Sequence, residues 1–351
     1  LYSAGSDDSV TMYNTHSWDK IGELKGHKGW VNAMAVDEAR NLMYTASEDK
    51  SVKVWDLTTH ECIKTLKGHQ DGAISLEIVD SRLVVGCTGT MMVWDTNSWK
   101  LLHKLSNHTQ VLRAMSDGKQ LSKNLGLDPR IAIAREASKL FGHKVGGLAA
   151  SKHHLFSAVD EGSIWVWEKR HLDVERKLLG PIGFSAEAVW VRSLEVISVE
   201  NPTTGKPCLK LLSGWADGAL RVYDLATWTL EHTLTAHSGP ILAIAIVGDS
   251  VISTGADMTA AEWDPVTWTL RRVLRNHDGA VCAVRSLPDG RVLTASLDGK
   301  LKVWKKFIDS PGNAAEGTGR VLMGKGGKKD ASETARVRNR RRLKSPKEEG
   351  S

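Results

Sequence analysis

No stretch of the 351 residues approaches the ~20 consecutive apolar residues that a membrane-spanning helix requires. The start carries no signal-peptide pattern. Cysteine is scarce: Cys62, Cys87, Cys208 and Cys282 are the only four, and no two stand close enough for a zinc or redox CxxC pair. Each falls in a segment that reads as strand or strand edge, so buried, reduced thiols in an intracellular protein are expected. Zinc spacing and paired-carboxylate patterns are missing. The run "GKGGKK" at 324–329 lacks the flanking strand and helix that a phosphate loop needs. No cofactor, metal or catalytic site is therefore expected.

Charge is also missing from the body of the chain. The formal net charge is +6, but eleven Lys/Arg and six Asp/Glu lie in 308–351, which leaves 36 bases against 35 acids in 1–307. The basicity belongs to the tail and says little about what the folded part binds. The chain begins at Leu1, inside a repeat, so it is expected to be a piece of a longer protein or one trimmed upstream.

A repeat dominates what is present. Aromatic-plus-polar pairs recur at Tyr13-Asn14, Trp55-Asp56, Trp94-Asp95, Trp167-Glu168, Tyr223-Asp224, Trp263-Asp264 and Trp304-Lys305. Fourteen residues beyond five of these aromatics stands a His: His27, His69, His108, His237 and His277. The same step from Trp167 lands on Pro181. Around each pair the sequence alternates with a period of two ("SVKVW", "ALRVY", "KLKVW"), the signature of a half-buried strand. Turns rich in Asp and Gly precede it ("SEDKS", "WADGA", "SLDGK"). Four short strands in about forty residues make one small antiparallel sheet. One such sheet leaves its faces bare, and several packed around an axis cover one another.

Over roughly residues 1–307 the sequence resembles a WD-repeat β-propeller. The resemblance implies an all-β fold of seven blades, the alternative being eight blades with one eroded. It also implies a buried tetrad of His, Ser/Thr, Asp and Trp in each complete unit. Two full sets are expected: His27, Ser47, Asp49, Trp55, and His277, Ser296, Asp298, Trp304. The chemistry fits, because Trp only donates, Asp only accepts and His relays between them. Recurring once per unit, these groups read as structural locks and not as a hydrolase triad. Units one, three, four and five depart from the pattern at Gly5, Thr88, Glu161 and the missing His before Asp217.

The long interval between Trp94 and Trp167 is read as an insertion across 109–142, with a short helix capped by Asp128 and started by Pro129, or else as the eroded blade. The first unit lacks its innermost strand, and "GRVLM" at 319–323 is the candidate for the last strand of the final unit. Residues 308–351 read as a flexible tail. Its cluster Arg336, Arg338, Arg340, Arg341, Arg342 and Lys344 suits a nuclear-import signal, RNA, an acidic protein surface, or solvent alone.

The resemblance implies a non-enzymatic scaffold for protein–protein interaction within a larger protein or assembly. The alternatives are an RNA- or RNP-associated propeller that uses the tail, and the substrate-recognition module of a multidomain ligase or kinase. A cytoplasmic location is expected, with the nucleus as alternative. Partners are expected on the face formed by the loop after each His and the turn holding each Asp. Trp30, Lys28 and Lys144 are the leading contacts there, with Trp30 packed between blades as the competing reading. A second series, Trp18, Trp99, Trp228 and Trp268, lies five residues after its blade's aromatic, on the opposite face. It reads either as a docking belt or as a set of hairpin caps.

Overall fold

The computed structural model describes residues 1–106, 145–159, 162–179, 190–200, 205–305 and 320–323. The expected insertion at 109–142, Lys144, Glu161 and the basic cluster of the tail lie outside the described residues. Every described element is a strand, and the strands form seven sheets. Of the four thiols expected to be buried only Cys87 is; Cys208 is half-buried, and Cys62 and Cys282 are exposed.

Blade 1 holds β1 (Tyr2–Ala4), β2 (Ser9–Tyr13) and β3 (Lys20–Lys25). Blade 2 holds β4 (Val31–Asp37), β5 (Leu42–Ser47), β6 (Val52–Asp56) and β7 (Cys62–Leu66). Blade 3 holds β8 (Ala73–Val79), β9 (Arg82–Cys87), β10 (Thr90–Asp95) and β11 (Leu101–Ser106). Blade 4 holds β12 (Val145–Ala150), β13 (His154–Val159), β14 (Ser163–Glu168) and β15 (Val174–Leu179). Blade 5 holds β16 (Val191–Glu200), β17 (Pro207–Trp215), β18 (Ala219–Asp224) and β19 (Leu230–Thr235). Blade 6 holds β20 (Ile241–Val247), β21 (Ser250–Gly255), β22 (Thr259–Trp263) and β23 (Leu270–Arg275). Blade 7 holds β24 (Val281–Ser286), β25 (Val292–Ser296), β26 (Lys300–Trp304) and β27 (Arg320–Met323).

Each sheet is an antiparallel meander in chain order, and neighbouring blades touch through their first strands. The burial gradient follows from that radial arrangement. Second strands such as β5 and β21 are buried at every position, sandwiched between the blades on either side, whereas outermost β19 is almost wholly exposed. The core is accordingly a series of seams, each an apolar cluster shared by two adjacent blades. The ring closes the same way. Leu287, Leu293 and Val303 of blade 7 pack with Leu1 and Trp18 of blade 1. β27 pairs with β26, so blades 2 to 7 are each built from four consecutive strands, and blade 1 from three.

The polar residue after each aromatic has a local task. Asp56 accepts the N–H groups of Thr58 (2.6 Å) and Thr59 (3.0 Å), and Asp95, Glu168, Asp224 and Asp264 accept the equivalent pairs. This side-chain cap mimics a backbone turn, which is why short acidic or amide side chains recur there. The residue five after the aromatic closes the turn with a left-handed backbone: Trp18 (φ 66°), His60 (60°), Trp99 (53°), Leu172 (61°), Trp228 (62°) and Trp268 (55°). The second Trp series is neither an exposed belt nor a set of caps on its own hairpins. Trp99 joins the seam with blade 2, Trp228 the seam with blade 4, and Trp268 the seam with blade 5.

Candidate docking face and the locks beneath it

The locks form where the loop after one blade's outer strand meets the tight turn of the next blade. In blade 2, Trp55 Nε1–H donates to Thr45 Oγ1 at 2.8 Å, His27 Nε2 meets the same hydroxyl at 2.7 Å, and His27 Nδ1 meets Asp49 Oδ2 at 2.7 Å. Blade 7 repeats this with Trp304, Thr294, His277 and Asp298, each contact at 2.8 Å.

The hydroxyl in each lock therefore differs from the expected one. Ser47 and Ser296 sit two residues further along, where the strand ends. There Ser47 Oγ donates to the Gly29 carbonyl (2.8 Å) and Ser296 Oγ to that of Gly279 (2.9 Å), each also accepting the N–H of the turn Asp. The reason lies in register. Trp55 pairs across the ladder with Met43, and Thr45 is the next residue of β5 on that face, within reach of the indole.

A third full lock was not expected from the sequence. His237 meets Asp257 (3.0 Å) and Ser253 (2.9 Å), and Trp263 Nε1–H donates to Ser253 Oγ (2.8 Å). The signal was present: Thr45, Ser253 and Thr294 each stand ten residues before their Trp, as does Ser157, which accepts from Trp167 at 2.8 Å.

The other blades depart in identifiable ways. In blade 3, Trp94 pairs with Leu83, which places Val85 where the hydroxyl should be, and the following turn is one residue shorter and lacks the Asp. His69 Nε2 and Trp94 Nε1 are left buried without a hydrogen-bond partner. Blade 5 replaces the lock altogether. Asp217 grips the Arg221 guanidinium at 3.1 and 2.5 Å, Arg221 stacks 4.7 Å above the Trp215 ring, and Trp215 Nε1–H donates to Ser213 at 2.7 Å. Cation, ring and hydroxyl do there what His, Asp and Trp do elsewhere.

Burial tunes the locks. Burial pushes the His27 and His277 rings below their ordinary pKa, against the opposing pull of Asp49 and Asp298. Burial pushes the two carboxyls up, but hydrogen bonds from Ser51, His27 and the Lys28 N–H outweigh it at Asp49, and those from His277 and the N–H groups of Asp278 and Lys300 outweigh it at Asp298. Both end at about 2. Thr45 and Thr294 are wholly inaccessible, so these His–Asp–hydroxyl sets meet no substrate.

Above the locks lies a face of turns. Trp30 is 60% exposed, which rejects its packing between blades. Its carbonyl accepts the Glu48 N–H at 2.9 Å, so the exposed ring stands on a fixed backbone. Leu297, which takes the place of Glu48 in blade 7, is 77% exposed, and Met258 in blade 6 is 47% exposed. Lys28 is exposed beside Trp30, and its N–H is held by Asp49 at 3.0 Å.

Sequence comparison supports the reading of the repeat. The family model described as "WD domain, G-beta repeat" matches residues 18–56, 60–95 and 268–305, which span two of the three full locks. The chain is a seven-bladed β-propeller that carries WD repeats. Among solved structures, the computationally designed Ika8 protein superposes with a TM-score of 0.60 at 24% identity, covering 86% of this chain and 79% of that one. That likeness concerns the fold alone. The WD repeats account for the recurring Trp, Asp and His as framework, and they leave the turns above the framework free to differ from blade to blade. Among the described residues no helix is long and apolar enough to cross a membrane.

Proposed function

We propose that this propeller is a non-catalytic scaffold within a larger protein or assembly, and that it holds a partner protein on the face above its locks with Trp30 as the central contact. The exposure of Trp30 on a rigid backbone carries this reading, because a large ring that loses little entropy on burial is the residue type that dominates binding energy. Two further features support it. Leu297 and Met258 add apolar surface on the same side. Met258 also holds φ at 65° in a turn position that Gly218 and Gly299 fill in blades 5 and 7, a strained choice that favours an exposed side chain over an easy turn.

The expected outcome is that Trp30→Ala leaves the melting temperature unchanged while partner dissociation from the immobilised chain becomes at least about tenfold faster, a loss of ~1.4 kcal/mol. Its dependence on salt should stay the same. Removing 331–351 should slow association and flatten the salt dependence without changing which protein is captured. If that removal abolishes all binding and Trp30→Ala does nothing, nucleic-acid binding through the tail replaces the scaffold reading.

A further inference from the structure

On the face opposite the locks, Trp99, Trp228 and Trp268 close their turns and fill the seam with the preceding blade, whereas His60 of blade 2 is exposed. The Trp228 ring lies 5.0 Å from the His154 ring of blade 4, and the Trp268 ring 5.8 Å from the His232 ring of blade 5. In blade 4 this position is Leu172. It is buried against blade 3 but much smaller than an indole. A cleft of about 470 Å³ opens at this seam, between the first turn of blade 3 (Asp80–Arg82) and two turns of blade 4.

Its charges are unevenly spent. Lys169 Nζ bonds Asp80 at 3.2 Å, and Arg82 donates to the Lys169 carbonyl at 3.0 Å. Glu168 takes the N–H groups of Arg170 (2.9 Å) and His171 (2.7 Å) and the His171 ring (3.0 Å). Both acids of the cleft are thereby occupied. The Lys152 ammonium and the Arg170 guanidinium line the same cleft, with His153, and have no partner among the described residues. Of the six turns that follow a described aromatic and are themselves described, that of blade 4 alone carries two basic residues, Lys169 and Arg170; that of blade 3 carries one, Lys100.

We propose that this cleft is a docking site for an acidic, Asp/Glu-rich peptide segment of a partner protein. The surplus is local, since residues 1–307 as a whole are nearly neutral. The volume admits several side chains. A single compact anion finds no backbone nest here, because Glu168 uses the N–H groups of Arg170 and His171, and Ser151 Oγ accepts those of His153 and His154. What remains is a spread of long cationic side chains, which suits carboxylates distributed along a chain. The like charge of Arg336–Lys344 disfavours the protein's own tail as occupant. Binding by exposed pairs is individually weak and sensitive to salt.

The test uses the full chain and a hexaglutamate peptide carrying a benzophenone photo-crosslinker. Irradiation at low ionic strength and peptide mapping should place adducts around Ser151–His154 and Glu168–His171. Lys152→Glu combined with Arg170→Glu should lower that labelling at least fivefold with an unchanged melting temperature, and Trp30→Ala should leave it as it is. Leu172→Trp, which fills the seam without altering charge, should also lower it. Should that variant fail to fold, the charge-reversed pair decides. Three results would overturn the proposal: adducts confined to the tail, wild-type labelling in the charge-reversed pair, or displacement of the peptide from these turns by inorganic phosphate or oligouridylate at lower concentration than unlabelled hexaglutamate.

Discussion

Thr45 serves two buried partners with one oxygen. The indole of Trp55 can only donate, so Thr45 Oγ1 accepts from it and turns its own proton to His27 Nε2. His27 must then carry its proton on Nδ1, facing Asp49. The network thus assigns the neutral tautomer, in accord with the lowered pKa of a buried ring. Thr45→Val keeps the shape and removes the oxygen, which leaves two buried nitrogens unpaired. It should cost about 1–3 kcal/mol and lower the melting temperature by several degrees. Ser47→Ala should cost less, since the Gly29 carbonyl it releases lies at the strand end. Differential scanning calorimetry of both variants ranks them; a larger loss from Ser47→Ala would contradict the assignment. The sequence made His27, Asp49 and Trp55 legible because they are chemically rare and evenly spaced. It did not separate Thr45 from Ser47, because both are hydroxyls on the same face of one strand and only the ladder register decides between them.

A blade is the unit on which the locks act, and blade 3 lacks one. His69 and Trp94 are present, yet Val85 occupies the Thr45 position and the turn that would bring an Asp is a residue short. Counting back ten residues from Trp94 reaches Val84 and misses the equivalence, so the shortened turn hid the defect from any fixed-spacing argument. Blade 5 was illegible for a different reason: Arg221 stands where Lys53 and Lys302 stand in their blades, but Trp215 belongs to no repeated pattern, and the stacking of the two appears only when β17 and β18 are paired. Blade count and strand order were readable because alternation and turn residues repeat in every unit. In blade 3, Val85→Thr should place a hydroxyl between the unpaired His69 Nε2 and Trp94 Nε1 without changing side-chain volume. The expected gain is about 1 kcal/mol, seen as a higher melting temperature. A fall would mean that these nitrogens do not converge on that position.

Around the whole ring, titratable groups are set so that acid opens the molecule. The His27, His69 and His277 rings are lowered by burial, so the unfolded chain takes up protons first as pH drops below about 6.5, and stability is lost from there downward. The Asp49 and Asp298 carboxyls, at about 2, add a second loss that begins near 4 and runs to 2. Two carboxyls that burial raises, Glu77 and Glu195, act in the opposite sense. Glu77, Glu195 and Arg285 occupy the same level of β8, β16 and β24, and Ala35, Ala149 and Ala245 hold that level in the blades between. The three charged groups therefore face one another across the axis. Burial, and then the Glu195 charge, raise Glu77 to about 7, with Arg285 opposing. The fold keeps its proton on Glu77 where the unfolded chain has already lost it, so stability falls as pH rises from about 4.5 to 7. Urea unfolding of wild type should show a midpoint that drops steeply on acidification below 6.5. Glu77→Gln, which mimics the protonated form, should match wild type at pH 4 and exceed it at pH 8. A variant less stable than wild type at pH 8 would show that the ionised Glu77 is held by Arg285 and is no burden to the fold.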